Sequence, residues 1–185
     1  MQNDAKKQPI KYTLKELTAE VISNTKKAWE RDSSDPEAFE IENGVLFDII
    51  SSYIDYDIDS SNKSVFYGIF TEEDSGYAEA FVELIVAQRG QKGMTKMMKL
   101  WSSPKYWDVD SYRNELAHIY ATAIIETMQK GFRDSHKLVK IYARNDYMMT
   151  ILNVIYNRLS EKTREGAITS IASRFEGRWL VIESV

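Results

Sequence analysis

From Thr13 onward the apolar positions of the chain change period several times, and each change marks an element. Leu14, Leu17, Val21, Ala28 and Trp29 share one face of a 3.6-residue repeat, and Thr13 with Glu16 has capping-box spacing. A helix is predicted from Thr13 to just before Asp35-Pro36. Glu42-Asn43-Gly44 has turn chemistry, after which Leu46, Ile49, Ile50, Tyr53 and Ile54 predict a second amphipathic helix, closed by the polar run Asp55 to Lys63. Residues 1–12 are polar and without periodicity, and are expected to form an N-terminal arm before a domain spanning 13–185.

The period then shortens to two. Val65 to Phe70 is dense in β-formers, and in Tyr77 to Gln88 the residues Ala80, Val82, Leu84 and Val86 alternate with Phe81, Glu83 and Ile85, so the two segments are expected to pair as antiparallel strands. Met94 to Ser102 fits either helix or strand by composition; its place after a long strand favours a third strand. Asp110 or Ser111 caps a long helix carrying Leu116, Ile119, Tyr120, Ala123, Ile124, Thr127 and Met128, with Gly131 at its C′ position. Leu138 to Ala143 reads as a strand, Asn145-Asp146 as the cap of another helix, and Ala167 to Val185 as a hairpin turning at Glu176-Gly177. The fold class expected is a single α/β domain with a mixed, mostly antiparallel sheet of six or seven strands and helices on both faces.

Composition narrows the chemistry. The chain has 185 residues, no cysteine and two histidines, His118 and His136, far apart in sequence. Disulfides, thiolate nucleophiles and cysteine zinc sites are excluded, no metal site is outlined, and GxSxG, GxxxxGK[ST] and GxGxxG motifs are absent. A net charge of −4 with interspersed signs argues against nucleic acid as the main partner. No stretch is long and apolar enough for a membrane span, and the polar start lacks a signal-peptide core. A cytoplasmic location and a protein partner or self-association are the expectation.

The order of helix, helix, three strands, long helix, strand, helix and hairpin resembles the GNAT superfamily of acyl-CoA-dependent N-acyltransferases. Leu100 to Tyr106 (LWSSPKY) looks like the end of that family's fourth strand, Ile141 to Asn145 (IYARN) like its fifth strand with the Asn that opens the next helix, and Arg178 to Val185 like its last strand. The resemblance implies that the fourth and fifth strands splay to admit acetyl-CoA, with Leu100, Trp101, Ser102, Ser103, Tyr106 and Asn145 around the acyl-CoA arm. It further implies a general base near Glu79 or Glu83 and a tyrosine acid on the helix after the fifth strand, for which Tyr156 is the candidate. In the family's usual register the acid position falls on Leu152.

One departure concerns the pyrophosphate. The family's glycine-rich turn brings bare backbone N–H groups to it, whereas here Tyr106-Trp107-Asp108-Val109-Asp110-Ser111 puts two aromatics and two carboxylates in that place. Arg89-Gly90-Gln91-Lys92-Gly93 has some of that loop's flavour, but its glycine spacing suits a hairpin turn better. The expectation is therefore a diverged GNAT-like protein acting through protein–protein assembly. The last ninety residues are similar to GNAT-like chains of tailed phages, including small internal virion components, which implies a virion as a second location. The alternative is an active acyl-CoA-dependent N-acetyltransferase acting on a protein or small-molecule amine.

Overall fold

The computed structural model describes residues 10–55, 62–74, 76–89 and 92–185. Its first element is a strand, β1 (Tyr12–Glu16), where capping-box spacing predicts a helix. Tyr12 and Thr13 are good strand formers with an edge to pair against, and Tyr12 to Glu16 run antiparallel to Thr71 to Tyr67. The helical cap falls on Thr18, whose hydroxyl accepts from the Val21 N–H at 3.2 Å, and α1 runs Ala19–Asp32.

Asp35 caps the short α2 (Pro36–Phe39) by accepting from the Glu37 and Ala38 N–H groups. The predicted turn at Glu42-Asn43-Gly44 is instead helical: Glu40–Gly44 forms one π-helical turn leading into α3 (Val45–Asp55). Asn43 stays in the helix by donating from Nδ2 to the Phe39 carbonyl at 3.3 Å, so its amide is satisfied without a turn.

Strands β2 (Asn62–Thr71), β3 (Ala80–Arg89) and β4 (Lys92–Ser102) follow as antiparallel neighbours, then α4 (Arg113–Arg133), β5 (Leu138–Tyr142), α5 (Asp146–Arg164), β6 (Ile171–Glu176) and β7 (Trp179–Ser184). The sheet order is β1-β2-β3-β4-β5-β7-β6, with β4 and β5 the parallel pair. This is the single seven-stranded, mostly antiparallel α/β domain that the sequence predicts. One face buries Ile69, Val82, Leu84, Met97, Ile141 and Leu180 under α4 and α5; the other buries Phe66, Phe70 and Phe81 under Trp29, Phe39 and Phe47 of the first three helices. Each such side chain contributes roughly 1.5–3 kcal/mol by leaving water. Among the described residues, no helix is long and apolar enough to cross a membrane.

Gly131 lies inside α4, not beyond it, because the helix packs too closely on the sheet there for a side chain: a Cβ would stand 2.7 Å from Val139 Cγ2. Beyond the last helical residue, Arg133, Ser135 takes a φ of 62° that lets the His136 N–H reach back to the Gly131 carbonyl at 2.9 Å. The last hairpin turns on Gly177-Arg178, one residue beyond the predicted pair, with Gly177 at φ 60° and Glu176 opposite Trp179.

Candidate functional site: the cleft between β4 and β5

A bulge opens the sheet at its centre. Glu83 faces Lys99 and Leu84 faces Met97, which leaves Met98 as an extra residue in β4. An extra residue bends its strand and increases its twist. The parallel pairing of β4 with β5 covers only Met94 to Met97 and ends at Ile141, so β4 diverges from β5 just where the bulge sits. From Met98 to Ser102, β4 stays paired to β3 through Lys99 to Ser102 and makes no backbone bond to β5.

Two cavities mark the gap. A narrow one of about 30 Å³ lies against Met98, Leu100, Tyr120, Arg144 and Asn145. A wider one of about 380 Å³ continues outward past Ser102, Tyr106, Trp107, Tyr120, Asn145 and Tyr147. Tyr120 and Asn145 belong to both. Asn145 is held by its capping role, its Oδ1 accepting from the Met148 N–H at 2.8 Å. Tyr120 packs edge-on against Tyr147, and Tyr147 donates to the Arg113 carbonyl at 3.2 Å. Burial pushes the Tyr120 phenol above its ordinary pKa, while a hydrogen bond with Asn145 works the other way.

Beside the wider cavity lies a buried polar cluster that includes its lining residue Tyr106. Glu79, 4% exposed, accepts from the Tyr106 hydroxyl at 2.9 Å on the same Oε2 that the Lys105 ammonium approaches at 2.6 Å. Tyr106 is itself 3% exposed, and burial, then the Glu79 charge, raises its phenol far above the usual range. The residue before Glu79 is clamped to α1: Trp29 Nε1 donates to the Ala78 carbonyl at 2.8 Å, and the Ala78 N–H donates to Thr25 Oγ1 at 2.9 Å. The Ser103 N–H donates to the Glu79 carbonyl at 2.9 Å, tying the loop after β4 to the same point.

Of the residues singled out in sequence, Ser102, Tyr106 and Asn145 line the wider cavity and Leu100 the narrower one. Trp101 points to the other face, against Phe66 at 6.1 Å between ring centroids, with Lys99 over its ring. Ser103 starts the 3₁₀ turn Pro104–Tyr106 and donates weakly to Asp32 at 3.4 Å. Glu79 and Glu83 stand four strand positions apart, about 13 Å. Glu83 is half-buried and accepts from Ser64 Oγ at 3.3 Å. Tyr156 packs on Phe175 at 5.2 Å and lines neither cavity. Leu152, at the family's acid position, is fully buried.

Tyr120 and Tyr147 escape a sequence reading. Tyr120 lies four residues after Leu116 on the apolar stripe of α4 and reads as core, and Tyr147 follows the cap residue as an ordinary first-turn side chain.

The loop before α4 holds its own anion. Asp108 accepts from Ser111 Oγ at 2.6 Å and from the Ser111 N–H at 3.4 Å. These bonds, the Ser111 hydroxyl foremost, pull its carboxyl below the ordinary value. Asp110 pairs with Arg113 at 2.8 Å. Two carboxylates thus occupy the approach to the helix N-terminus. Trp107, 45% exposed, stands at the mouth beside them. Among the described residues, no three His, Asp or Glu side chains converge on a common point.

No family model and no curated protein sequence matches the chain. In structure it is similar to a PaiA N-acetyltransferase from Thermoplasma acidophilum in complex with coenzyme A, at 13% identity, covering 95% of this chain and 99% of that one with a TM-score of 0.38. It is also similar to a GNAT-family acetyltransferase from Staphylococcus aureus (9% identity, 92% and 97% covered, TM-score 0.38). An acetyltransferase from Streptococcus agalactiae behaves alike (10%, 94% and 98%, TM-score 0.36). At this distance the likeness bears on neither activity nor ligand.

Proposed function

We propose that the cleft takes an acyl-CoA arm and that the protein is an acyl-CoA-dependent N-acyltransferase. The observation that carries this reading is the bulge at Met98, beyond which β4 makes no backbone bond to β5 along two cavities that share Tyr120 and Asn145. An amide-bearing arm can complete the ladder that β5 leaves open, since strand backbone binds amides whatever the side chains. The acyl carbon then lies near the bulge. The acceptor amine attacks it, the C–N bond forms and the C–S bond breaks. Glu83, across from Lys99 beside the bulge, takes the ammonium proton through water, and Tyr120 supplies the proton that the departing thiolate needs.

A second reading, a GNAT-like scaffold that works through protein assembly, is favoured by three observations. Glu79 is sealed beneath Lys105 and Tyr106, and Asp108 already holds the N–H and hydroxyl of Ser111. In addition, Ile41, Val45 and Ile49 expose an apolar stripe at four-residue spacing. Calorimetric titration with acetyl-CoA and CoA separates the two. Micromolar binding with one site per chain supports the acyltransferase; absence of binding at millimolar ligand removes it and leaves the scaffold.

A further inference from the structure

At the end of the sheet away from the cleft, the turn between α4 and β5 contains a second, differently built cavity. It measures about 380 Å³ and is lined by Ser135, His136, Lys137, Ser170 and Ser184, with Phe132 and Ile171 as its apolar wall. We propose that this cavity binds a phosphate group, held by the His136 imidazole, the serine hydroxyls and the Lys137 ammonium.

His136 is 7% exposed, and its ring lies over Gly93, where any Cβ would overlap it. Its Nδ1 stands 2.6 Å from the buried Thr95 Oγ1. Thr95 is 2% exposed, and among the described residues its hydroxyl has no other hydrogen-bond partner, so donation to Nδ1 is the arrangement that leaves no buried O–H unused. The imidazole proton is then on Nε2. That nitrogen has no protein partner among the described residues, and with His136 lining the cavity its N–H is the donor we assign to the ligand.

Ser135 adds an independent sign. It sits at φ 62°, the left-handed region that a helix end ordinarily gives to glycine, and a serine there is strained by roughly 1 kcal/mol. Glycine would serve the turn better, whereas the hydroxyl serves the cavity. Strain kept where a side chain lines a cavity is a mark of function. The neighbouring carboxylates are engaged elsewhere: Asp134 with Lys130 at 3.3 Å and Glu183 with Arg174 at 3.3 Å. What faces the space is a set of donors with one positive charge, which suits a tetrahedral oxyanion.

The test uses the two histidines as probe and control. Imidazole NMR signals are followed while inorganic phosphate, and separately glycerol 3-phosphate, replaces chloride at constant ionic strength and neutral pH. The His136 signals are expected to shift saturably while those of the exposed His118 stay put. Tighter binding of the monoester identifies a phosphate carried on a small organic group; equal binding identifies free phosphate. Ser135→Gly is expected to raise the melting temperature and weaken phosphate about tenfold to a hundredfold, the worth of one charge-assisted hydrogen bond. Lys137→Gln should weaken it with no change in melting temperature. The proposal is overturned if neither ligand gives a saturable His136 shift up to roughly 50 mM, or if Ser135→Gly stabilises the fold and leaves phosphate affinity intact.

Discussion

Lys105 and Tyr106, adjacent in sequence, meet on one oxygen of Glu79, at 2.6 and 2.9 Å. The pair fastens the loop after β4 to the residue just before β3, beside the wider cavity that Tyr106 lines. Removing the ammonium leaves a carboxylate buried with a single neutral donor. Lys105→Met is expected to cost about 2–4 kcal/mol in urea unfolding, and Tyr106→Phe about 1–3 kcal/mol. A smaller loss for Lys105→Met than for Tyr106→Phe would show that water, not the ammonium, satisfies Glu79.

Gly131 tests how tightly α4 lies on the sheet. Alanine is the better helix former by about 1 kcal/mol, yet the added methyl would stand 2.7 Å from Val139 Cγ2 and 3.2 Å from Thr95 Oγ1. Gly131→Ala is therefore expected to destabilise by about 1–3 kcal/mol net, read from the denaturation midpoint. A stabilised variant would mean that the helix can lift off β5 without penalty.

For the acyltransferase reading, the two tyrosines separate by location. Tyr120 lines both cavities, whereas Tyr156 packs on Phe175. Tyr120→Phe is expected to lower kcat on the order of 10²-fold with little change in the acetyl-CoA KM, and Tyr156→Phe to change neither by more than about twofold. Loss of turnover in Tyr156→Phe alone would return the acid to the helix position that the family resemblance implies.

Asp108 opposes a phosphate-bearing ligand at the cleft mouth. Asp108→Asn keeps the shape and removes the charge, so CoA affinity should rise about threefold to tenfold at low ionic strength and the gain should shrink with added salt. Unchanged affinity would place the ligand's phosphates away from α4.

Acid stability follows from Glu176, whose carboxyl is pulled below its ordinary value by hydrogen bonds from Lys140 at 2.8 Å and from Arg174. A pKa lower in the folded state contributes stability that is fully present above the unfolded value and lost as pH falls through the folded one. The difference in urea midpoint between the wild type and Glu176→Gln should thus be present at neutral pH and vanish in acid. A difference that persists in acid would assign it to packing.

Element types and their order were legible in the residues alone, because alternation of apolar side chains reports which face is buried whatever that face meets. Asn145 as a cap followed from local chemistry of this kind, whereas β4 as a strand followed from its place after a long strand. The first strand was not, since Tyr12 to Glu16 becomes a strand only by pairing with Thr71 to Tyr67. Gly131 likewise looked like a helix end, and only the closeness of Val139 explains a glycine inside α4.

The cleft belongs to tertiary structure altogether. Nothing in Met97-Met98-Lys99 announces a bulge; it arises because β3 and β4 pair out of step by one residue, which turns β4 away from β5. The sequence by itself determined which residues could face a core and which chemistries, lacking cysteine and phosphate-loop glycines, were closed to it. Tertiary structure decided which polar groups meet. It drew Glu79 under Lys105 and Tyr106, brought Tyr120 to Asn145, and set His136 between Thr95 and an open cavity, because a side chain's partners depend on strand register and helix placement, which are summed over the whole chain.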